Sequence, residues 1–387
     1  MDNNKKRYRI AFLTSEDPLN KRSWSGTYYY MAKALQKHTG DVFYLGPTYI
    51  KTVGRIGFKI SKKLLGKIYY LEYSIFLARW YAWHFGRKIE RGTYDFIFAP
   101  ACATEIALLN VDIPIIYLSD ATFRLLYNYY PEFGNIFRVS MKELDALDHL
   151  AIQKASLCVF SSDWAAKSAI NDYNADKNRV FVIPFGANID EDLIPSSDIV
   201  DKRRKSDACR LLFLGKNWQR KGGEIAFETL IELEKMGVRA ELTICGCLPP
   251  HNFSHKNMKV IKFLDKNDLE QGRELANLLM SSDFLLLPTR KECYGVVFCE
   301  ANAFGLPVIT TDTGGVSTII KNGENGFMLP ITARGDEYAR IIKELYEDDD
   351  RYYKLVRSSR QAYDERLNWD IWAKEVKRLI DEKLNIL

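Results

Sequence analysis

The segment that decides the fold reads RKECYGVVFCEANAFGLPVITTDTGGVSTIIKNGENGFMLP and covers residues 290–330. It contains two glutamates, Glu292 and Glu300, on either side of a predicted helix start. Apolar residues lie three and four positions from Glu300 in both directions, so helical spacing places its carboxylate on the apolar face of its own helix. A buried, ionised carboxylate without hydrogen-bond donors is costly, and the two adjacent hydroxyls of a ribose would satisfy both of its oxygens.

Glu292 precedes the helix and stands beside a run of backbone amides. The positive end of a helix and its unpaired N–H groups suit a phosphate, and Gly295 lets a ligand approach the backbone closely. We therefore expect a pocket for a sugar nucleotide. Two alternatives remain open: a salt bridge from Glu300 to a neighbouring lysine or arginine, and a helix-terminal charge at Glu292 that contributes only ~0.3–1 kcal/mol. The amides in question belong to Cys293, Tyr294, Gly295, Val296 and Val297.

Short apolar runs alternate with helical patterns along the whole chain. This alternation predicts an α/β protein whose parallel, doubly wound sheets are covered by helices on both faces. The first half has predicted strands at residues 8–14, 42–45, 95–99, 114–118, 157–161 and 179–183. The second half has RLLFLG, AELTICG, VIKFL, DFLLLP, PVITTD and FMLP.

The chain is long enough for two domains, since 387 residues exceed the usual size of a single hydrophobic core. The pattern of strands and helices breaks between Pro184 and the charged run DKRRKSD at 201–207. We therefore predict a first domain over residues 1–190 and a second over 191–368. A final helix, 369–387, is not needed to complete the second sheet.

The spaced glutamates, the run GLPVITTDTGGVSTII and the upstream pieces LLFLGKNWQRKGG and AELTICG resemble the family-four retaining glycosyltransferases. The order of motifs agrees, from DFLLLPT before Glu292 to NWDIWAKEV near the C-terminus. Residues 211–330 resemble the family strongly, and residues 1–190 mainly in layout. The resemblance implies a GT-B fold, with two Rossmann-like domains facing each other across a cleft and the last helix crossing back to the first domain.

Two lysines flank the loop GKNWQRKGG, which follows a predicted strand. The resemblance implies that Lys216 and Lys221 bind the donor phosphates, with Glu292 at the sugar hydroxyls and Glu300 at the ribose. The family often has arginine where Lys216 stands, and arginine would grip a phosphate with two parallel hydrogen bonds. Basic residues in such loops, including Arg220, are commonly only solvated.

Two positions in the first half complete the expected site. Gly26 precedes a helix and resembles the glycine loop that covers the donor in this family. Asp120 follows a predicted buried strand, so it lies at the carboxyl end of the sheet, where ligands bind. Relatives often have a histidine or aspartate near this point, which the resemblance makes a catalytic candidate; a helix N-cap is an equal alternative for Asp120.

The charge of the chain and its distribution indicate which classes of binding partner to expect. The net charge of +5 is too small to argue for nucleic acid. Between Lys51 and Arg91, however, ten basic residues stand against two acidic ones, interleaved with aromatics. Such a segment suits an anionic membrane surface, although two amphipathic helices packed on the core are the favoured alternative.

The cellular setting follows from what the sequence lacks. The seven cysteines show no paired framework and indicate reduced thiols in a cytoplasmic protein. The first apolar run is too short to predict a signal peptide, and no run predicts a membrane span. We expect a cytoplasmic protein that is soluble or peripheral on the inner face of the membrane.

The expected activity is transfer of a sugar from a nucleotide diphosphate to a hydroxyl of a saccharide, lipid-linked or other acceptor. No cofactor or metal is expected, because the DxD within Glu347–Asp350 follows a helix and resembles a solvated helix end. Alternatives are a nucleotide-sugar epimerase or a phosphorylase of the same fold, and a non-catalytic sugar-nucleotide-binding protein. A nicotinamide-dependent oxidoreductase is disfavoured, because no GxGxxG follows either opening strand.

Overall fold

The computed structural model describes residues 7–48, 50, 66–127 and 129–384. Part of the basic segment at 51–91, namely residues 51–65, lies outside this range. Contacts divide the chain into two compact units, one of Met1–Ile183 with Trp372–Leu387 and the other of Pro184–Ile371. The division falls at residue 183, where the sequence predicted 190, and the chain returns to the first unit at residue 372, where it predicted 369.

The first unit is built on a parallel sheet in the order β2-β1-β3-β4-β5-β6. Its inner strands are apolar on both faces, as expected for a sheet covered on both sides. In chain order the elements are β1 (Tyr8–Phe12), α1 (Thr27–His38), β2 (Gly40–Tyr44), α2 (Ile75–Glu90), β3 (Phe96–Pro100), α3 (Ala103–Ile106), β4 (Ile115–Ser119), α4 (Phe123–Leu126), α5 (Arg138–Lys154), β5 (Leu157–Phe160), α6 (Asp163–Tyr173) and β6 (Val180–Val182).

The second unit has a parallel sheet in the order β12-β11-β10-β7-β8-β9. Its elements are α7 (Ser197–Asp201), β7 (Cys209–Leu214), α8 (Gly223–Lys235), β8 (Ala240–Cys245), β9 (Met258–Ile261), α9 (Leu269–Ser281), β10 (Phe284–Leu287), α10 (Val296–Ala303), β11 (Val308–Thr311), α11 (Val316–Ile319), β12 (Gly326–Leu329), α12 (Gly335–Glu347), α13 (Asp349–Arg366) and α14 (Trp369–Lys383).

One predicted strand is misplaced. The sequence indicated VIKFL, residues 260–264, whereas β9 covers Met258–Ile261 and pairs with β8 in the register Leu242 to Met258. The apolar pair of Phe263 and Leu264 misled the prediction, because these residues belong to the loop after the strand. This loop, residues 262–268, lies at the carboxyl end of the sheet.

The last helix, α14, begins in the second unit and ends in the first. Within the first unit, the Trp372 ring packs edge-on against Phe98 at 5.9 Å. The Tyr8 hydroxyl donates to Asp381 at 2.7 Å. Residues 372–384 are therefore part of the first unit's packing, although they are far from it in sequence.

Helix α2 packs its apolar side inward. Tyr81 and Phe85 are fully buried, so this part of the basic segment follows the core-helix interpretation. Its other side is exposed: 72% of Phe76 and 57% of Trp83 face solvent. Among the residues that the structure describes, no helix is both long and apolar enough to cross a membrane.

Candidate functional site

The two central strands of the second sheet carry the main candidate residues. The chain turns from β7 to β8 on one side of the sheet and returns through β10 on the other, so the strand order reverses between β7 and β10. Ligands of doubly wound folds bind at the carboxyl ends of the strands beside such a reversal. The loop after β7 contains Lys216 and Lys221, and the loop after β10 contains Glu292.

A buried ion pair joins these two loops. Lys221 Nζ donates to Glu292 Oε2, and each side chain is only 10% exposed. The loops are also tied by backbone bonds, since Arg290 N–H donates to Arg220 O at 2.8 Å. The sequence predicted both residues at the site but did not predict that they pair directly.

Glycines shape this junction. Gly295 has φ +95°, and a Cβ there would lie 2.5 Å from the Phe298 ring and 3.2 Å from Glu292 Cγ. Gly222, at the start of α8, has φ +76°, and a Cβ there would meet Pro288 O at 1.9 Å. Both positions require glycine for conformation and for space, because other residues rarely adopt positive φ and would collide.

Helix α10 starts at Val296, directly after this junction. Helical geometry leaves the N–H groups of Val296 and Val297 without an acceptor inside the helix. The Tyr294 side chain does not contribute a binding group, because its hydroxyl donates to Phe185 O at 2.8 Å. Full burial raises the pKa of this phenol. Within residues 293–297, the backbone amides therefore stay the candidates for binding a phosphate, as the sequence analysis proposed.

Glu300 is buried in the middle of α10, with 3% of its surface exposed. Lys266 Nζ lies 2.5 Å from its Oε1. Burial raises the pKa of the Glu300 carboxyl, although the charges of Lys266 and Lys221 and a backbone hydrogen bond from Asn188 act in the opposite direction. The open alternative of an internal salt bridge is thus realised in this structure, and contact with a ribose stays a prediction.

Sequence reasoning missed Lys266. The residue belongs to the 262–268 loop, which follows a predicted strand at the edge where Lys216 and Glu292 were placed. A cation in that loop was the available signal. Lys216 Nζ, in turn, lies 4.6 Å from the centroid of the Phe263 ring of the same loop.

In the first unit, Asp120 directly follows β4, and Gly26 directly precedes α1, as predicted. Gly26 has φ +97° and follows two residues with positive φ, Trp24 and Ser25. Such strained backbone is concentrated at functional sites. The N-cap alternative for Asp120 does not apply to α4, whose N-cap residue is Thr122.

The segment after Asp120 is held by a buried carboxylate on α5. Asp148 Oδ2 accepts a hydrogen bond from Phe123 N–H at 2.6 Å, and Oδ1 accepts one from the Tyr117 hydroxyl at 3.3 Å. Burial raises the pKa of Asp148 to about 6, against these hydrogen bonds. Asp148 therefore positions the backbone that carries Asp120.

The acidic run at 347–350 acts as a helix boundary. The Asp348 carboxylate accepts a hydrogen bond from Arg351 N–H at 3.0 Å and caps α13, and Asp349 pairs with Lys205. Within the described ranges, no cluster of three or more His, Cys, Asp or Glu side chains is arranged to hold a metal ion.

The chain is similar in sequence to known glycosyltransferases. Residues 208–348 match the family model described as glycosyl transferases group 1. The chain is 25% identical over 280 residues to a D-inositol 3-phosphate glycosyltransferase of Paenarthrobacter aurescens (strain TC1). This match covers 66% of the present chain and 65% of that protein. A D-inositol 3-phosphate glycosyltransferase of Corynebacterium jeikeium (strain K411) is 22% identical over 60% of this chain and 58% of its own length. The chain thus spans less than two thirds of these curated relatives.

Solved structures share the fold over nearly the whole chain. A glycosyltransferase from Rickettsia africae ESF-5 matches with a TM-score of 0.68 and 17% identity, covering 98% of this chain and 99% of that one. Anabaena HepE in complex with UDP and glucose matches with a TM-score of 0.64 and 16% identity, over 97% and 100% of the two chains. WaaG, a glycosyltransferase involved in lipopolysaccharide biosynthesis, matches with a TM-score of 0.61 and 16% identity, covering 96% of this chain and 100% of that one. These likenesses confirm the predicted α/β fold of the GT-B type.

Proposed function

We propose that the protein transfers a sugar from a nucleotide-diphosphate donor to a hydroxyl acceptor, because residues 208–348 match the family model described as glycosyl transferases group 1. The observation that carries the proposal is the buried pair of Lys221 and Glu292. It lies where the strand order reverses, beside the amides that open α10. In this position, the Glu292 carboxylate would bind sugar hydroxyls and the Lys221 ammonium group would bind phosphate.

Phosphate recognition would rest on positive charge. Negative charge builds up on the leaving diphosphate as its bond to the sugar breaks, so Lys216, Lys221 and the first amides of α10 would stabilise the transition state. Lys221 is the better placed of the two lysines, since it is 8% exposed while Lys216 lies on the surface. An ammonium group shielded from water interacts more strongly with an anion.

We further propose that the anomeric configuration is retained and that no metal takes part. The acceptor hydroxyl would attack the anomeric carbon on the face that the diphosphate leaves. The bond from carbon to the phosphate oxygen breaks as the new glycosidic bond forms, and the departing phosphate oxygen takes the acceptor's proton. Glu292 would orient the sugar hydroxyls, and Asp120 would contact the sugar or acceptor.

The names of the relatives support a nucleotide-sugar donor. HepE was solved with UDP and with glucose, and the curated relatives are named for D-inositol 3-phosphate. We propose a UDP-, GDP- or ADP-hexose as donor. For the acceptor we propose a growing surface polysaccharide or a lipid-linked saccharide in the cytoplasm.

The test is transfer by Glu292→Gln, with Glu344→Gln on the exposed side of α12 as the control. Donor hydrolysis and transfer are measured with UDP-, GDP- and ADP-sugars, and the anomeric proton coupling of the product reports retention. We expect Glu292→Gln to lower transfer roughly 10²–10³-fold, the usual effect of removing one group that stabilises a transition state. Activity close to that of the wild type would exclude Glu292 from the proposed role.

The same assay separates the alternatives. An epimerase changes the sugar of the donor without an acceptor, and a phosphorylase needs inorganic phosphate in place of a nucleotide. A non-catalytic binding protein takes up the donor and forms no product. Each outcome would overturn transfer as the function.

Membrane association is a separate proposal, based on α2. Phe76 and Trp83 project from its outer side, and the Arg87 guanidinium lies 5.3 Å from the Trp83 ring. Aromatic and basic side chains on one face suit the interface of an anionic bilayer. Flotation with phosphatidylglycerol vesicles should carry the wild type but not a Trp83→Ser, Arg87→Ser variant; equal flotation of both would refute the role of this face.

A further inference from the structure

Lys266 neutralises Glu300 from the solvent side of the second unit. The lysine side chain is 19% exposed, while the glutamate side chain is 3% exposed. The ammonium group therefore stands between the carboxylate and water. A ligand that approaches Glu300 from solvent along the 262–268 loop meets Lys266 first.

Glu300 cannot remain without a partner at this depth. Breaking a buried ion pair by removing one member leaves an uncompensated charge and is strongly destabilising. The amide of Asn188 supports the carboxylate from the protein side. A hydrogen-bond donor at the position of Lys266 therefore stabilises the ionised carboxylate.

The surrounding loop reaches the other end of the candidate site as well. Phe263 directly follows Lys262, the first residue of the loop, and Lys216 Nζ lies 4.6 Å from the centroid of the Phe263 ring. The same loop thus touches both the lysine proposed for the phosphates and the glutamate proposed for the ribose. A nucleotide spanning these two residues would lie along it.

We propose that Lys266 is a positioning residue that occupies the place of the donor's ribose in the empty unit and is displaced by the ribose hydroxyls when the nucleotide binds. This inference rests on the proposed function. Two adjacent hydroxyls donate to Glu300 in place of one ammonium group, and the long lysine side chain turns outward, where its charge is hydrated. The exchange keeps Glu300 paired at every stage.

The exchange makes a prediction that a purely structural salt bridge does not make. If Lys266 competes with ribose, its removal should strengthen the binding of a nucleotide that has ribose hydroxyls and of no other. Hydrogen bonds to charged groups are among the stronger ones in proteins, and a tenfold change in Kd corresponds to about 1.4 kcal/mol. We therefore expect Lys266→Met to bind the ribonucleotide about tenfold more tightly.

The experiment is calorimetric titration at pH 8.5. The probes are the nucleoside diphosphate among UDP, GDP and ADP that the wild type binds best, and its 2′,3′-dideoxy analogue. The variants are Lys266→Met and Lys266→Gln, with Lys262→Met as the control, because Lys262 is an exposed lysine of the same loop. Lys266→Gln keeps a neutral donor and should fall between the wild type and Lys266→Met, which guards against a variant that folds poorly.

The inference is supported if the gain appears with the ribonucleotide, vanishes with the dideoxy analogue and is absent in Lys262→Met. It is overturned if Lys266→Met and Lys266→Gln bind both probes as the wild type does, or more weakly. Nucleotide binding without sugar transfer would instead overturn the proposed function and leave the exchange intact. Absence of binding to any of the three nucleotides would overturn both.

Discussion

The ion pair of Lys221 and Glu292 allows a quantitative test of how the second unit is held together. The perturbation is a double-mutant cycle of Lys221→Met, Glu292→Gln and the combined variant. Both side chains are 10% exposed, so solvent screens their interaction little. Removing one partner of such a pair typically costs about 3–5 kcal/mol, because the other charge remains buried and unpaired.

The combined variant should recover much of the unfolding free energy that each single variant loses. Once both charges are gone, no uncompensated charge remains, and we expect a coupling energy of about 2 kcal/mol, within the range for residues in direct contact. The assay is urea unfolding of the four proteins at pH 7 with a comparison of m-values. Strictly additive changes in unfolding free energy, within about 0.5 kcal/mol, would refute a direct interaction.

Two further perturbations follow from single residues. Burial raises the pKa of Asp148 from 3.8 to about 6, so ionisation of this carboxyl disfavours folding. The stability that the protonated carboxyl contributes is complete below pH 4 and is lost as the pH rises through about 6. Relative to Asp148→Asn, the wild type should lose about 2 kcal/mol of unfolding free energy between pH 4 and pH 7 in urea titrations, and a constant difference would contradict this. Gly295→Ala adds a Cβ 2.5 Å from the Phe298 ring at φ +95°, whereas the Cβ of Gly237→Ala, at φ +81°, meets nothing within 4 Å. The first variant should lower the melting temperature more than the second, which carries only the conformational cost of about 1–2 kcal/mol. Equal shifts in melting temperature would contradict the packing argument.

Most of the fold could be predicted from the sequence because strands and helices alternate with clear periods. Strands such as β10 and β11 are short apolar runs bounded by proline, and α8 ends before Gly237 with an apolar stripe. Only VIKFL was misplaced, since local apolarity does not distinguish a strand from the loop that follows it. Sheet pairing, which is a tertiary property, settles that distinction.

The candidate site was predictable as a set of residues but not as a set of pairs. Glu292, Lys221 and the amides before α10 follow from motif and helix geometry. The partners of Glu300 do not, because Lys266 is 34 positions away in sequence. The hydroxyl of Tyr294 likewise finds Phe185 O across 109 positions. Long-range side-chain pairing depends on the folded arrangement of loops, which no local pattern encodes.

The central claim is that the second unit binds an activated sugar through Glu292, Glu300 and Lys221. Calorimetric titration of the wild-type protein with UDP-, GDP- and ADP-hexoses tests it most directly. We predict saturable binding of at least one donor at one site, abolished in Lys221→Met and Glu292→Gln. No heat of binding with any donor, or unchanged affinity in both variants, would contradict the account.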